Sequence, residues 1–173
     1  MTKRYEHIKD ARVKPRFSRD RLYRYSLEIT HCKLAKGKTA CVVMQNPSYA
    51  GTRKDGADKS VQFMEKVVFE KGLREFCEVR RLIVINLFAR IQTNGFKGHA
   101  SDVGKYNNSV IETVLKKADI IILGWGSGKE KRFEDRKEFV RNILRSLVGK
   151  QLYKTRKHPS RGAYDGFIQP YYI

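Results

Sequence analysis

Asn46, Asn86 and His158 are the side chains of this sequence whose neighbours best suit them for chemistry. Val42-Val43-Met44-Gln45 delivers Asn46 and Pro47, and Leu82-Ile83-Val84-Ile85 delivers Asn86. Gln151-Leu152-Tyr153-Lys154 runs towards His158 and Pro159. A carboxamide carries two donors and an acceptor, so it can read a nucleobase edge or hold a water, but it is no strong base. A histidine can donate to a leaving group that departs as an anion. The set suits a reaction that needs electrostatic help and a positioned water more than proton abstraction. Competing chemistries fail on residue identity. Gly124-Trp125-Gly126-Ser127-Gly128-Lys129 is no phosphate loop, because Leu123 stands where the first glycine is needed and Glu130 where a Ser or Thr should bind magnesium. Lys129 likewise replaces the third glycine of a dinucleotide fingerprint. No G-x-S-x-G elbow and no carboxylate cluster for two metals is visible.

Hydrophobic periodicity supplies the elements that must hold these residues. Leu22 to Ile29 alternates and predicts a strand with one wet face, pairing as a hairpin, across Ala35-Lys36-Gly37-Lys38, with the strand that ends at Met44. Pro47 lacks an N–H and biases Asn46 to an extended conformation, which presents the carboxamide at the strand tip. Asp58 is positioned to cap a helix carrying Val61, Met64, Val67 and Val68 inward, with Gly72 ending it. Residues 81–88 form a second buried strand. Val110, Ile111, Val114, Leu115 and Ala118 stripe a helix, and 119–126 is a third strand. Residues 130–148 form an amphipathic helix, and 151–154 a short strand. Such alternation predicts an α/β fold of three layers, α/β/α, with a mostly parallel central sheet. The four strand ends bearing Asn46, Asn86, Trp125-Gly126 and His158 are expected at one sheet edge, where ligands of open α/β sheets bind. Residues 1–21, basic and without periodicity, read as an arm or a poorly packed edge, and 22–173 as a single domain.

Composition narrows the partner. The 173 residues fit one domain, able to bury roughly 70% of its unfolded surface. Lys and Arg number 37 against 18 Asp and Glu, a net charge of +19. An excess of that size repels itself in the folded state and points to a polyanion whose counterions are released on binding. Cys32, Cys41 and Cys77 are scattered, which argues against a metal site and for a reducing cytoplasm. The amino terminus lacks the apolar core of a signal peptide, and no apolar run is long enough to span a bilayer. A soluble monomer that binds DNA and needs no cofactor is expected.

Gln45-Asn46-Pro47-Ser48, Ile85-Asn86, Leu123-Gly124-Trp125-Gly126 and His158-Pro159-Ser160, in that order, resemble the signature of the uracil-DNA glycosylase superfamily. With Tyr23-Arg24-Tyr25 and Asn86-Leu87-Phe88, the chain from about Leu22 to Gly166 more closely resembles a family of bacterial and phage proteins of undefined function, which we read as a branch of that superfamily. The resemblance implies a uracil-DNA glycosylase-like fold and a glycosylase that flips a nucleotide out of DNA and hydrolyses its glycosidic bond. It implies that Asn46 places the attacking water and that His158 stabilises the departing base or clamps the backbone. Gln45, Ser48, Tyr49, Asn86 and Phe88 would surround the base, and Asn86 would bond to its edge. Lys157, Ser160, Arg161 and Arg53 would hold the DNA. Asn46 replaces the aspartate of the most active members, so Asp58 or Asp55 is a candidate for the missing carboxylate. Tyr49 stands one place later than the aromatic that excludes the thymine methyl, and Ser48 is small. That leaves room for a bulky C5 substituent, such as a hydroxymethylated or glucosylated cytosine in phage DNA, ahead of uracil or a mismatch. The bland readings are turns at Asn46 and Asn86, a helix cap at Asp58 and a core Trp125. The chief alternative function is a non-catalytic nucleic-acid-binding module of the same fold. An enzyme on free nucleosides has no need of so extended a field.

Overall fold

The computed structural model describes residues 5–49 and 56–173. Seven strands form one mixed sheet in the order β1-β2-β4-β3-β5-β6-β7. They are β1 (Ala11–Phe17), β2 (Arg24–His31), β3 (Lys38–Met44), β4 (Val79–Asn86), β5 (Ile120–Leu123), β6 (Gln151–Thr155) and β7 (Ile168–Pro170). The helices α1 (Lys59–Phe69), α2 (Asn107–Lys117) and α3 (Lys131–Arg145) connect β3 to β4, β4 to β5 and β5 to β6. Each of those connections must cross over, because β4, β3, β5 and β6 run parallel.

The expectation of a mostly parallel sheet is corrected at both flanks. β1 and β2 pair antiparallel with each other, β2 pairs antiparallel with β4, and β7 with β6. The expected β2–β3 hairpin does not form either, since β4 lies between them. The cause is visible in β3, whose residues from Thr39 to Met44 are all buried. A strand apolar on both faces belongs in the centre, and the wet-faced β2 belongs further out. Of the two expectations for 1–21, an arm or a poorly packed edge, residues 11–17 take the edge. Ala11–Phe17 forms the edge strand β1, with Arg12, Lys14 and Arg16 exposed between the inward Val13 and Pro15. Tyr5 pairs with Ala57, and the buried Glu65 of α1 receives the Ile8 N–H at 3.1 Å and a bond from His7 Nδ1.

Successive residues of the central strands feed opposite cores, as the two-residue side-chain period requires. Val42, Leu82, Val84 and Ile122 pack under α1 against Val61, Met64 and Val67. Cys41, Val43, Ile85 and Ile121 pack on the other face with Ile111, Leu115, Val140 and Leu144 of α2 and α3. The β2 alternation breaks at its start, where a register shift opposite Phe17 leaves Tyr25 extra. Arg24 is therefore fully buried instead of lying on the wet face, and Tyr25 is buried on the α2 side.

Candidate active site

Because β3, β4, β5 and β6 are parallel, their carboxyl ends share one edge, and a cavity of about 1100 Å³ opens there. Gln45, Asn46, Ser48, Asp58, Lys157, His158, Ser160 and Arg161 all line it. The parallel register thus brings together eight of the side chains named from sequence.

Each polar group is oriented by bonds that leave a defined atom over. The Asn46 amide donates to the Gln92 carbonyl at 2.7 Å and to the Pro47 carbonyl at 3.3 Å. Its donors are thereby occupied by backbone, and Oδ1 is left as the acceptor for a ligand or water. His158 caps the short helical turn Pro159–Arg161, its Nδ1 accepting the Ser160 N–H at 3.2 Å. An Nδ1 that accepts is unprotonated, so the neutral ring carries its proton on Nε2. Burial lowers the His158 pKa below its ordinary value; Asp58 opposes that shift and Arg161 adds to it. Gly126, at φ 78°, permits the approach of that ring, since a Cβ there would stand 3.1 Å from His158 Cβ. Gly128 is fixed through its carbonyl by the buried Lys137, which also reaches Glu134 at 2.7 Å.

Asp58 combines two roles the sequence reading kept apart. One oxygen caps α1 by accepting the Val61 N–H at 2.8 Å, and the other accepts the Ser48 hydroxyl at 2.6 Å. Its charge acts on the buried Arg24, opposing the lowering that burial imposes on the guanidinium. The burial of Arg24 is not foreseen by the alternation, which places it on the wet face of β2. Among the described lining residues Asp58 is the single carboxylate, against Lys59, Arg141, Lys154, Arg156, Lys157 and Arg161. The cavity therefore attracts anions. Trp125 also lines it, with the Arg141 guanidinium 5.7 Å from its ring.

Three of the expected base-binding residues lie elsewhere. Tyr49 is 75% exposed and outside the lining, because the chain turns outward after Ser48. Phe88 is buried edge-on against Phe96 and Phe133, as the apolar seat of the loop after β4. Asn86 is 1% exposed and outside the lining. Its carbonyl accepts from the buried Asn107 at 3.0 Å, while its Nδ2 has no hydrogen-bond partner among the described residues. Arg53 and Asp55 lie outside the described residues. Among those residues, no group of three or more His, Cys, Asp or Glu is placed to hold a metal, and no helix is long and apolar enough to cross a membrane.

The fold and site together define an α/β protein with a cationic cleft at the carboxyl edge of its sheet. The chain belongs to the family described as protein of unknown function (DUF1643), whose sequence model matches residues 24–161. The matched span runs from the buried Arg24 to Arg161 and includes every lining strand, leaving β1 and β7 outside. No curated protein and no solved structure matches the chain.

Proposed function

We propose that the protein is a DNA glycosylase of the uracil-DNA glycosylase superfamily. The observation that carries this reading is the pairing, in one cationic cavity, of an acceptor on Asn46 with a neutral Nε2–H donor on His158. In this reading a flipped nucleotide enters the cavity, its phosphates held by Lys157 and Arg161. The bond from C1′ to the base nitrogen breaks and its electron pair leaves with the base, which His158 stabilises by hydrogen bonding. A water held by Asn46 Oδ1 adds its oxygen to C1′, and its proton ends on the released base. The Asp58 carboxylate favours the positive charge that develops on the sugar. Asn86, outside the cavity, is replaced as reader of the base edge by Gln45.

The favoured substrate is a cytosine with a bulky C5 substituent. A cavity of about 1100 Å³ is at the upper end of the usual range for ligand sites, and Ser48 keeps that wall low. The test is base release from DNAs bearing uracil, mismatches, hydroxymethylcytosine or glucosylated hydroxymethylcytosine, with abasic sites scored by alkaline cleavage. Release from one modified base, lost in Asn46→Ala while DNA affinity stays within about twofold, is expected. No release from any of them, despite salt-sensitive binding, would replace this reading with a second one, a non-catalytic nucleic-acid-binding module. The position of Asn86 favours that second reading.

A further inference from the structure

A second cavity, of about 960 Å³, lies on the far side of the loop that follows β4. That loop is a shared wall. Towards the first cavity, Gln92 binds Asn46 through its carbonyl and Pro47 through its N–H. Towards the second, Arg90 pairs with Tyr23, and the N–H groups of Ala89 and Arg90 bond to the carbonyls of Val103 and Asp102. Arg90 and Gln92 are two residues apart, so the chain between these two sets of bonds spans at most about 7 Å.

The second cavity is built of tyrosine rings. Tyr23 and Tyr25 lie nearly parallel, their planes 8° apart, and Tyr106 stands edge-on to Tyr25 with centroids 5.8 Å apart. Tyr23 is anchored by its hydroxyl, which donates to the Ser101 carbonyl at 3.1 Å. Gly104, at φ 83°, closes the floor, since a Cβ there would come within 3.0 Å of the Tyr23 ring and 3.2 Å of the Tyr25 ring. Tyr106, 50% exposed, presents the accessible ring. Arg19 and Lys105 line the same space, and the Arg90 guanidinium lies 5.5 Å from the Tyr23 ring centre. The acid present, Asp20, is exposed and accepts from the Ser18 hydroxyl and the Leu22 N–H.

Flat aromatic rings beside cations fit the faces of unpaired bases and the phosphates between them. We propose that the second cavity is a stacking subsite for an unpaired nucleotide flanking the one that enters the main cavity, so that the protein prefers locally unpaired DNA. This rests on the reading that its ligand is DNA.

The experiment measures fluorescence anisotropy of labelled single-stranded oligonucleotides of about three and about twelve nucleotides, which bracket the span of one stacking platform. Wild type, Tyr106→Ala and Tyr106→Trp are compared. The expected result is that Tyr106→Ala weakens the longer oligonucleotide by about 5-fold to 100-fold, leaves the shorter one nearly unchanged, and is rescued by Tyr106→Trp. Undiminished binding of the longer oligonucleotide by Tyr106→Ala would overturn the subsite while leaving the DNA reading standing. Equal loss at both lengths, or no rescue by Trp, would also overturn it. Failure of the wild type to bind either length would overturn the subsite, and failure to bind a labelled duplex as well would sink the DNA reading with it.

Discussion

The two cavities share one wall but are made from opposite kinds of chain. The main cavity sits at the carboxyl ends of parallel strands, where Asn46, Asp58 and His158 each have some polar atoms bonded internally and project what remains. The tyrosine cavity sits at the start of an antiparallel strand and the turn before α2, and it offers ring faces and solvated cations. Directed, partly desolvated polar groups can favour a transition state over a ground state, whereas flat stacking surfaces bind both alike. Damage to the first cavity should therefore appear as lost rate, and damage to the second as lost affinity.

The largest effect is expected at His158. His158→Ala should lower single-turnover base release by about 100-fold to 1000-fold, the usual cost of one such donor, with DNA affinity changed less than about twofold. Equal loss of rate and affinity would erase the distinction between the cavities. The pH dependence has a definite sign. The neutral ring is the donor, and burial lowers its pKa below the ordinary 6.5. Release should accordingly be level from neutral to mildly alkaline pH and fall only on the acid side, below pH 6.5.

A matched pair of glycine substitutions sharpens the same contrast. Gly126 and Gly104 both have positive φ, and each holds a site side chain too close for a Cβ. Ala at either position incurs about 1 to 3 kcal/mol of backbone strain from the positive φ, measurable by chemical denaturation. Beyond that shared cost, Gly126→Ala presses on His158 and should reduce the rate of release. Gly104→Ala presses on Tyr23 and Tyr25 and should weaken the longer oligonucleotide. The reverse assignment would mean that the cavities do not divide the work.

The sequence disclosed the main cavity better than the second. Apolar runs ending in Asn46, Asn86 and Trp125-Gly126 were enough to place three strand ends on one edge, because buried parallel strands are legible as continuous apolar stretches, whereas the mixed, part-exposed β6 was placed by its position after a helix. Strand neighbours were not legible. Nothing local tells β2 to pair with β4 instead of β3. Of the two edge strands, β7 is only three residues long, and the alternation of β1 is set among basic residues that a charged arm would also carry. Asn86 misled because the end of a strand fixes the position of a residue but not the direction of its side chain. Arg24 was hidden by the extra residue at Tyr25, which breaks the alternation used to assign it outward. The tyrosine cavity draws on residues 18–25 and 100–106, which are far apart in the chain and meet only in the folded protein, so no single stretch signalled it.

The smallest effect separates the two functions of Asp58. Asn is as good an N-cap as Asp, because its carbonyl oxygen accepts the same backbone N–H, whereas Ala accepts nothing. Asp58→Ala should cost about 1 kcal/mol of stability through the lost cap, and Asp58→Asn clearly less. Asn also turns an NH2 towards Ser48, whose hydroxyl can accept in place of donating, so the change that reaches His158 is the loss of charge. Since Asp58 raises the His158 pKa against the burial that lowers it, Asp58→Asn should move the acid limb of base release to still lower pH. It should also slow release on the plateau if the carboxylate steadies the cationic sugar, while oligonucleotide binding at the tyrosine cavity is untouched. An acid limb that stays in place, read beside the His158 titration by NMR, would mean that Asp58 serves the first cavity as a cap alone.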